Sequence, residues 1–158
     1  MSAYVHEGMT KVSWVATIAS KAAPTAAELT AGTDITTYLT KDGLKVPQSQ
    51  NMVDNTSLAE TFDAKVVGSW GGDISLTMKR DNGADTAWAL FDYAETGYLV
   101  VRRGVTHATA YAAAQKVEVY PAQSHQPVPN DTAANAQATF TVGLAVTSEP
   151  ELAAVVAA

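Results

Sequence analysis

Residues 73–80 read DISLTMKR, and the pattern of this stretch decides the fold class. Ile74, Leu76 and Met78 alternate with polar residues at a period of two. In a β-strand successive side chains point to opposite faces, so this alternation is typical of a strand with one apolar and one wet face. We therefore expect a sheet that covers a core with one side only.

The same period recurs on both sides of this stretch. It predicts further strands at Val12–Ile18, Ile35–Leu39, Leu44–Gln50, Asp63–Trp70, Tyr98–Arg103, Lys116–Gln126 and Ala138–Thr147. The dipeptide Gly71-Gly72 separates two of these segments and predicts a tight hairpin between Asp63–Trp70 and Asp73–Arg80. The fold class is therefore mainly β.

One helix is predicted over Ala84–Ala94, with Asn82 as its N-cap and Gly97 as its end. Its apolar residues recur at helical spacing and form one stripe: Ala84, Ala87, Trp88 and Phe91. Two capping-box patterns predict single helical turns inside connections: Thr25 with Glu28, and Ser57 with Glu60.

Length and composition indicate one domain with a thin core. The chain has 158 residues, and its 47% hydrophobic content includes 29 Ala. Because a small domain buries a smaller fraction of its surface than a large one, few large apolar residues leave little to hold it together. We therefore expect the domain to share surfaces with partners.

The charge argues against a nucleic-acid grip. The chain has ten basic and 16 acidic residues, which give a net charge of −6. The only basic pair, Arg102-Arg103, is expected at a solvated strand end, and phosphate binding needs clustered cations. Zero Cys excludes disulfides, thiolate nucleophiles and Cys-ligated metals. The first twenty residues do not fit a signal peptide, and no apolar run is long enough for a membrane span, so a soluble chain is expected.

No motif indicates an active site. His6, His107 and His125 are far apart and lie outside any metal-ligand pattern, and no G-x-S-x-G elbow is present. Asp81 and Asp85 fit helix capping better than a calcium loop. We predict no catalytic, cofactor or metal residues. Trp14 and Trp88 are expected in the core, and Trp70 is left undecided.

Three segments lack an evident partner within the fold: Met1–Met9, Val46–Thr61 and Glu149–Ala158. Loose segments beside open sheet edges risk uncontrolled pairing, and a ring of identical domains closes such edges. The strict reading of the residues therefore favours an assembling protein over a catalyst.

The order of these elements resembles the major tail tube protein of long-tailed, siphovirus-like bacteriophages. The resemblance covers about Thr10–Thr147 and rests on short strings in a fixed order: Pro24–Leu29, Gly32–Leu39, Asp42–Leu44, the Ala64–Arg80 hairpin and Asp85–Trp88. It implies a tail-tube β-sandwich or barrel with one packed α-helix, an extended loop and terminal arms. It also implies hexameric rings that stack into the tube through which genomic DNA leaves the virion.

The resemblance divides the chain into an N-terminal arm, 1–9, a β-domain, 10–148, with a long inter-ring loop, 44–61, and a C-terminal arm, 149–158. Inter-ring contacts are then expected at Leu44, Val46, Val53, Leu58, Val155 and Val156. The channel is expected to be lined by Ser75 and Thr77 or by Thr139 and Thr141, since short hydroxyl side chains give a hydrated wall. No cofactor is implied.

The implied partners are copies of the chain itself, the tape measure, the tail terminator and the distal tail proteins. DNA would be present only in transit, without specific binding, and no membrane is involved. The implied location is the phage tail, after synthesis in the host cytoplasm. Two alternatives stay open: a monomeric β-sandwich binding module for carbohydrate or adhesion, and a small β-barrel enzyme or ligand carrier.

Overall fold

The structure is a computed structural model that describes residues 1–158 and is mainly β, as predicted. The elements in chain order are β1 Thr10–Val15, α1 Ala26–Ala31, β2 Thr33–Asp34, β3 Leu39–Lys45, β4 Ser49–Asp54, β5 Lys65–Gly71, β6 Asp73–Lys79, α2 Thr86–Leu90, β7 Thr96–Arg103, β8 Lys116–Ser124, β9 Val128–Pro129, β10 Thr139–Val146 and β11 Glu151–Val155. Neither helix is long and apolar enough to cross a membrane.

Nine strands form one antiparallel sheet in the order β2-β1-β7-β8-β10-β6-β3, with β11 beside β8 and β9 beside β10. The two ends of this order are joined by Ile35–Tyr38, a connection that spans at most about 14 Å. At one end the Ile35 amide donates to the carbonyl of Val12, and at the other the Lys79 amide donates to the carbonyl of Tyr38. The sheet therefore curls until its edges are close together.

The curl encloses the main core, which we call the inner core. Alternate residues of β1, β6, β7, β8 and β10 fill it, together with Ala87 and Phe91 beside α2: Val12, Trp14, Ile74, Leu76, Met78, Leu99, Val101, Tyr120, Ala122, Phe140, Val142 and Leu144. Trp14 is buried, so the prediction that it lies in the core is confirmed. Trp88 is only half-buried and packs edge-on against Phe140 at the margin of the inner core.

A second cluster, the outer core, lies on the other side of β1, β7 and β8. It explains why these three strands are apolar on both faces, whereas β6 and β10 alternate cleanly. Helix α1 and the C-terminal segment contribute Leu29, Ala154 and Val156 to it.

The capping box predicted before α1 is present. The Glu28 amide donates to the Thr25 hydroxyl, and the Thr25 amide donates to the Glu28 carboxylate at 2.8 Å. Donation by the backbone amides of Thr25 and Ala19 lowers the pKa of Glu28 below its ordinary value. This carboxylate also holds the chain entering α1, which buries Leu29 under the sheet.

The predicted helix Ala84–Ala94 is much shorter in the structure. Helix α2 has only five residues and ends at Leu90, and the backbone of the next residue, Phe91, is extended. The N-cap position is occupied by Asp85, with φ 47°, and not by the predicted Asn82. The Asp85 carboxylate makes no capping hydrogen bond, because it binds the Arg80 side chain and accepts from the Asp81 amide. Gly97 does not end the helix either. It lies in β7, where a Cβ would approach the Trp14 ring to 2.6 Å.

The predicted hairpin at Gly71-Gly72 is wrong. Strand β5 pairs with β4, and β6 pairs with β3 and β10. The register continues across both pairs, with Lys45 opposite Ser75 and Ser49 opposite Gly71. Strands β3 and β4 therefore run beside β5 and β6 as one long two-stranded ribbon. Gly71-Gly72 marks a bend in that ribbon, and its turn lies at residues 55–64.

The expectation of a free C-terminal arm, 149–158, is also wrong. Strand β11 pairs with β8 and places Ala154 beside Val117. The last residues continue along the domain, where the Val156 amide donates to the Gln115 carbonyl and the Ala157 amide to the Pro24 carbonyl. The apolar C-terminal segment pairs with a stretch of β8 that is otherwise unpaired on this side, and it is therefore part of the domain.

Arg102 is not at a solvated strand end. Its side chain is fully buried, and burial lowers the pKa of its guanidinium. Arg103, its neighbour on the other face of β7, forms an ion pair with Glu118 at 2.9 Å. The two basic residues therefore have separate structural partners.

Candidate assembly surfaces

The four predicted channel residues lie together on one surface. Strands β6 and β10 are neighbours, with Thr77 opposite Thr141 and Thr139 one pair further along. We call Ser75, Thr77, Thr139 and Thr141 the hydroxyl strip. Sequence reasoning offered these residues as two alternative pairs, and the register shows that both pairs share the face turned away from the inner core.

Hydrogen bonds tie the hydroxyl strip into a ladder. The Thr77 and Thr141 hydroxyls are 3.5 Å apart. The amide side chain of Asn130 joins the next rung, because it donates to the Thr139 hydroxyl at 2.9 Å and accepts from the Thr141 hydroxyl at 3.0 Å. The strip is therefore short-chained, polar and internally ordered.

Two cations and one anion also belong to this face. Lys79 follows Thr77 on β6, Asp73 precedes Ser75, and Lys45 lies opposite Ser75 on β3. Each lies towards the margin of the strip, with hydroxyl residues between the two lysines. The face turned away from the inner core therefore carries two fixed cations beside the hydroxyl strip.

Beyond Gly71, the ribbon of β4 and β5 leaves the body of the domain. Almost all of its residues are exposed, and each strand pairs only with the other. Cross-strand pairs place Met52 beside Val67 on one face and Val53 beside Val66 on the other. An isolated two-stranded ribbon is at best marginally stable in water, and unpaired apolar edges invite another chain.

The turn of the ribbon, residues 55–64, is ordered by its own polar groups. We call it the tip. The Thr56 hydroxyl bonds both the amide and the carbonyl of Ala64, and the Ser57 amide donates to the Glu60 carboxylate at 2.9 Å. Hydrogen bonding by Thr56, whose amide donates to the Asp54 carboxylate at 2.8 Å, lowers the pKa of Asp54 at the base of the tip.

With these polar groups bonded internally, the tip displays its apolar side chains to water. Leu58 is fully exposed and Phe62 is 80% exposed. Ordinary surface loops do the opposite, so a pair of large apolar side chains on an ordered loop indicates a contact surface. Leu58 was predicted as an inter-ring residue, whereas Phe62 was missed.

A groove of about 290 Å³ opens where the ribbon meets the body. Its apolar lining comes from four elements and the segments beside them: Val46, Trp70, Ile74, Tyr120, Val146 and Pro150. Trp70, which sequence reasoning left undecided, stands at the mouth of this groove and is 42% exposed.

The six predicted inter-ring residues divide into three groups. Val53, Leu58 and Val155 are exposed. Leu44 and Val46 are half-buried against the inner core. Val156 is only 2% exposed in the outer core, so its predicted inter-ring contact is corrected: β11 turns this residue inward and leaves it no surface to offer.

The other exposed apolar residues of the ribbon were missed, chiefly Met52, Val66, Val67 and Trp70. Met52 lies in the predicted inter-ring loop, 44–61, whereas Val66, Val67 and Trp70 lie in a segment that was predicted as an ordinary strand with one face on the core. The signal available in the sequence was Val66-Val67, two adjacent branched residues in a strand, because neighbours on a strand point to opposite faces and cannot both lie on one core.

The N-terminal arm is held at one point. The Gly104 amide donates to the Met9 carbonyl and the His107 amide to the Gly8 carbonyl, where Gly8 adopts φ 73°. Before Gly8 the chain is exposed, including Tyr4 and Val5.

The three histidines lie apart in the chain. His6 belongs to the N-terminal arm, and His107 and His125 lie in two different connections. No group of three His, Asp or Glu side chains could hold a metal ion.

Comparison with known proteins agrees with this fold. A family model described as "Phage tail tube protein" matches residues 1–158. Two cryo-EM structures are similar with a TM-score of 0.62 each: a chain of the anti-feeding prophage baseplate, six-fold symmetrised, at 10% identity and 96% coverage of both chains, and a chain of the sheath/tube terminator of the extracellular contractile injection system PVC, at 12% identity and 95% and 96% coverage. No curated protein matches the sequence.

Proposed function

The chain belongs to the phage tail tube protein family, and we propose that its copies form hexameric rings that stack into the tube through which genomic DNA is ejected. It is a structural component of the virion tail. Its partners in this proposal are other copies of itself, the tape measure, the tail terminator and the distal tail proteins. Synthesis in the host cytoplasm precedes assembly.

The observation that carries the proposal is the ribbon of β4 and β5. It has unpaired edges, apolar side chains on both faces and no cover from its own domain. A soluble monomer rarely maintains such a surface, because burying apolar area stabilises by roughly 25 cal/mol per Å². Contact with neighbouring subunits supplies the missing cover.

Six-fold symmetry is supported by one of the similar structures, whose baseplate is described as six-fold symmetrised. The other belongs to a sheath/tube terminator, which supports contact between this kind of fold and the end of a tube. A closed ring also satisfies a physical demand, because heterologous contacts that close leave no free edge.

We place the hydroxyl strip on the channel wall. The strip is polar, its side chains are short, and the opposite face of its strands packs in the inner core. It therefore presents a hydrated surface without long side chains that could contact DNA. The chain carries a net charge of −6, which weakens its attraction for phosphates as DNA slides past. Lys45 and Lys79, at the margin of the strip, are too few and too separated to grip the backbone.

In the stack, the ribbon provides the contact between rings. Val53 and Leu58 lie on it, and Val155 is a third exposed residue outside it. The N-terminal arm contributes Tyr4 and Val5 in the same way. This assignment keeps three of the six expected inter-ring residues and adds Met52, Phe62 and Val67.

The test uses purified protein and a single cysteine, since the native chain has none. Negative-stain images should show rings and tubes, and Thr141→Cys should react with a small maleimide in both monomers and tubes. A maleimide carrying a bulky polymer should label the monomer but not the assembled tube. Equal labelling of tubes by both reagents would place the hydroxyl strip on the outside.

A protein that stays monomeric at high concentration and forms no rings would overturn the assembly itself. That outcome would favour the binding-module alternative, in which Trp70 at the mouth of the groove contacts a ligand. A matched control, Ala113→Cys on an exposed connection that carries no proposed contact, reports whether the bulky reagent can label the outside of the tube at all.

A further inference from the structure

We propose that the tip of one subunit inserts Leu58 and Phe62 into the Trp70 groove of a second copy, so that each subunit carries both halves of the contact between successive rings. This inference rests on the proposed stacking of rings and names the place where the ribbon lands. The occupant is a second copy of this chain.

The two features complement each other in shape and chemistry. The tip is an ordered loop with two large exposed apolar side chains. The groove has a volume of about 290 Å³ and a mixed lining, in which Val46, Trp70 and Val146 are apolar and Gln48 and Ser148 are polar. Each leaves apolar surface in water that the other would cover. Aromatic Phe62 would meet Trp70 at the groove mouth, and such pairs add stabilisation beyond the area they bury.

The contact cannot form within one subunit. The groove lies at the root of the ribbon, beside Val46 and Trp70, and the tip begins after Asp54. A strand rises about 3.3 Å per residue, so the paired strands β4 and β5 hold the tip roughly 20 Å away from the groove. A tip that fills the groove therefore comes from another subunit.

A knob on one part of a molecule and its hole on another make a head-to-tail contact, and between rings stacked along one axis such a contact repeats without closing. Burying two side chains does not repay the entropy of joining two subunits, so one such contact should not hold a dimer. Six contacts formed together by two rings should hold, because the first contact raises the effective concentration of the rest. The contact therefore favours cooperative growth of a stack over small oligomers.

Charges at the rim do not decide the contact. Lys21, Glu149 and Glu151 line the adjoining surface, and the Lys21 ammonium donates to the Glu149 carbonyl. The tip itself carries Glu60 and Asp63. With both signs at the rim, apolar burial has to supply the attraction, so a strongly excluded salt such as sulfate should promote assembly.

The test is a crosslink between two introduced cysteines in assembled tubes. Leu58→Cys combined with Val146→Cys should give a ladder of covalent oligomers under oxidation, since a disulfide needs Cα atoms about 4.4–6.8 Å apart. Leu58→Cys combined with Thr141→Cys is the matched control and should give none. Each single variant should give no ladder.

Two other pairs identify a wrong occupant or a wrong landing place. A ladder from Tyr4→Cys with Val146→Cys, and none from the tip, would show that the N-terminal arm fills the groove. A ladder from Leu58→Cys with Tyr93→Cys instead would show that the tip lands elsewhere. Either result overturns this inference and leaves the tube intact, whereas a wild-type chain that never assembles overturns the proposed function and the inference with it.

The strength of the contact is tested separately. Leu58→Ser should raise the critical concentration for tube formation by about ten- to a hundredfold, the cost of leaving one leucine unburied. Ala59→Ser, beside it on the same tip, should leave the critical concentration unchanged. Equal behaviour of the two variants would contradict the insertion.

Discussion

Arg102 shows how one side chain organises a segment without regular structure. Its two terminal nitrogens donate to the carbonyls of Thr106, Thr109 and Ala110 and to the side chain of Gln115, at 2.8 to 3.1 Å. These partners are neutral, so the guanidinium is held by a cage of oxygen dipoles. Residues 104–115 wrap around this cation, and the N-terminal arm in turn bonds to Gly104.

Replacing Arg102 with Met should lower the free energy of unfolding by about 3–5 kcal/mol, because buried oxygen acceptors lose their donors. Arg103→Met is the matched control. It removes one partly exposed ion pair with Glu118, which is worth less than about 1 kcal/mol. Urea unfolding of both variants measures the difference, and equal losses would contradict the role of the cage.

At the scale of elements, the bend of the ribbon depends on a close approach of two backbones. A Cβ at Gly72 would lie 2.3 Å from the carbonyl oxygen of Pro47, whereas a Cβ at Gly71 would meet nothing within 4 Å. Two adjacent glycines therefore have different roles. Only Gly72 lets the strands β3–β4 and β5–β6 stay paired while the ribbon turns out of the sheet.

Gly72→Ala should force the two strands apart and cost about 1–3 kcal/mol, as overpacking does elsewhere. Gly71→Ala should cost little, because its site is open. Thermal unfolding reports the stability, and tube assembly reports whether the tip still reaches its neighbour. Should Gly72→Ala melt and assemble like Gly71→Ala, the bend would not depend on this contact.

Element positions follow from local pattern, and element partners do not. Alternation placed β6, β7 and β10 within about two residues of their true ends, since burying one face is a property of each strand alone. Gly71-Gly72 fits a hairpin turn and a bend equally well. Pro47, across the ribbon and far along the chain, decides between them, and no local pattern contains that information.

The predicted bounds of helix α2 are wrong because the spacing of apolar residues does not show which polar side chains bind each other. The spacing of Ala84, Ala87, Trp88 and Phe91 fits a long helix, and Ala87 and Phe91 are indeed buried. The Asp85 carboxylate, however, binds Arg80, whose guanidinium also lies 4.0 Å from the centre of the Trp88 ring. This local cluster of side chains replaces the predicted first turn. The predicted stripe is therefore right for Ala87 and Phe91, whereas Ala84 is exposed before the helix and Trp88 is half-buried.

At the scale of the whole molecule, the candidate surfaces were only partly predictable. The hydroxyl strip could be proposed as two pairs from alternation, but only the β6–β10 register brings them together. The groove has no signal in the sequence at all, because Val46, Tyr120 and Pro150 come from distant segments. The C-terminal residues were expected outside the fold because their partner, a stretch of β8, lies about 35 residues earlier in the chain. No local pattern links the two segments.

The pairing of β11 with β8 gives two neighbouring valines different environments. On β11 and the residue after it, Val155 faces solvent and is 43% exposed, whereas Val156 lies in the outer core at 2%. Folding and assembly can therefore be separated by one position. Replacing either valine by alanine changes side-chain size and strand propensity by the same amount.

Val156→Ala should lower the free energy of unfolding by about 2 kcal/mol, the cost of removing two buried methyl groups and leaving a small cavity. Val155→Ala should leave the melting temperature within about one degree and raise the critical concentration for tubes, because its loss is felt only between subunits. Calorimetry and light scattering on both variants measure the two effects. A Val155→Ala chain that assembles like the wild type would remove Val155 from the contact between subunits, and a Val156→Ala chain of native stability would mean that β11 does not hold the outer core closed.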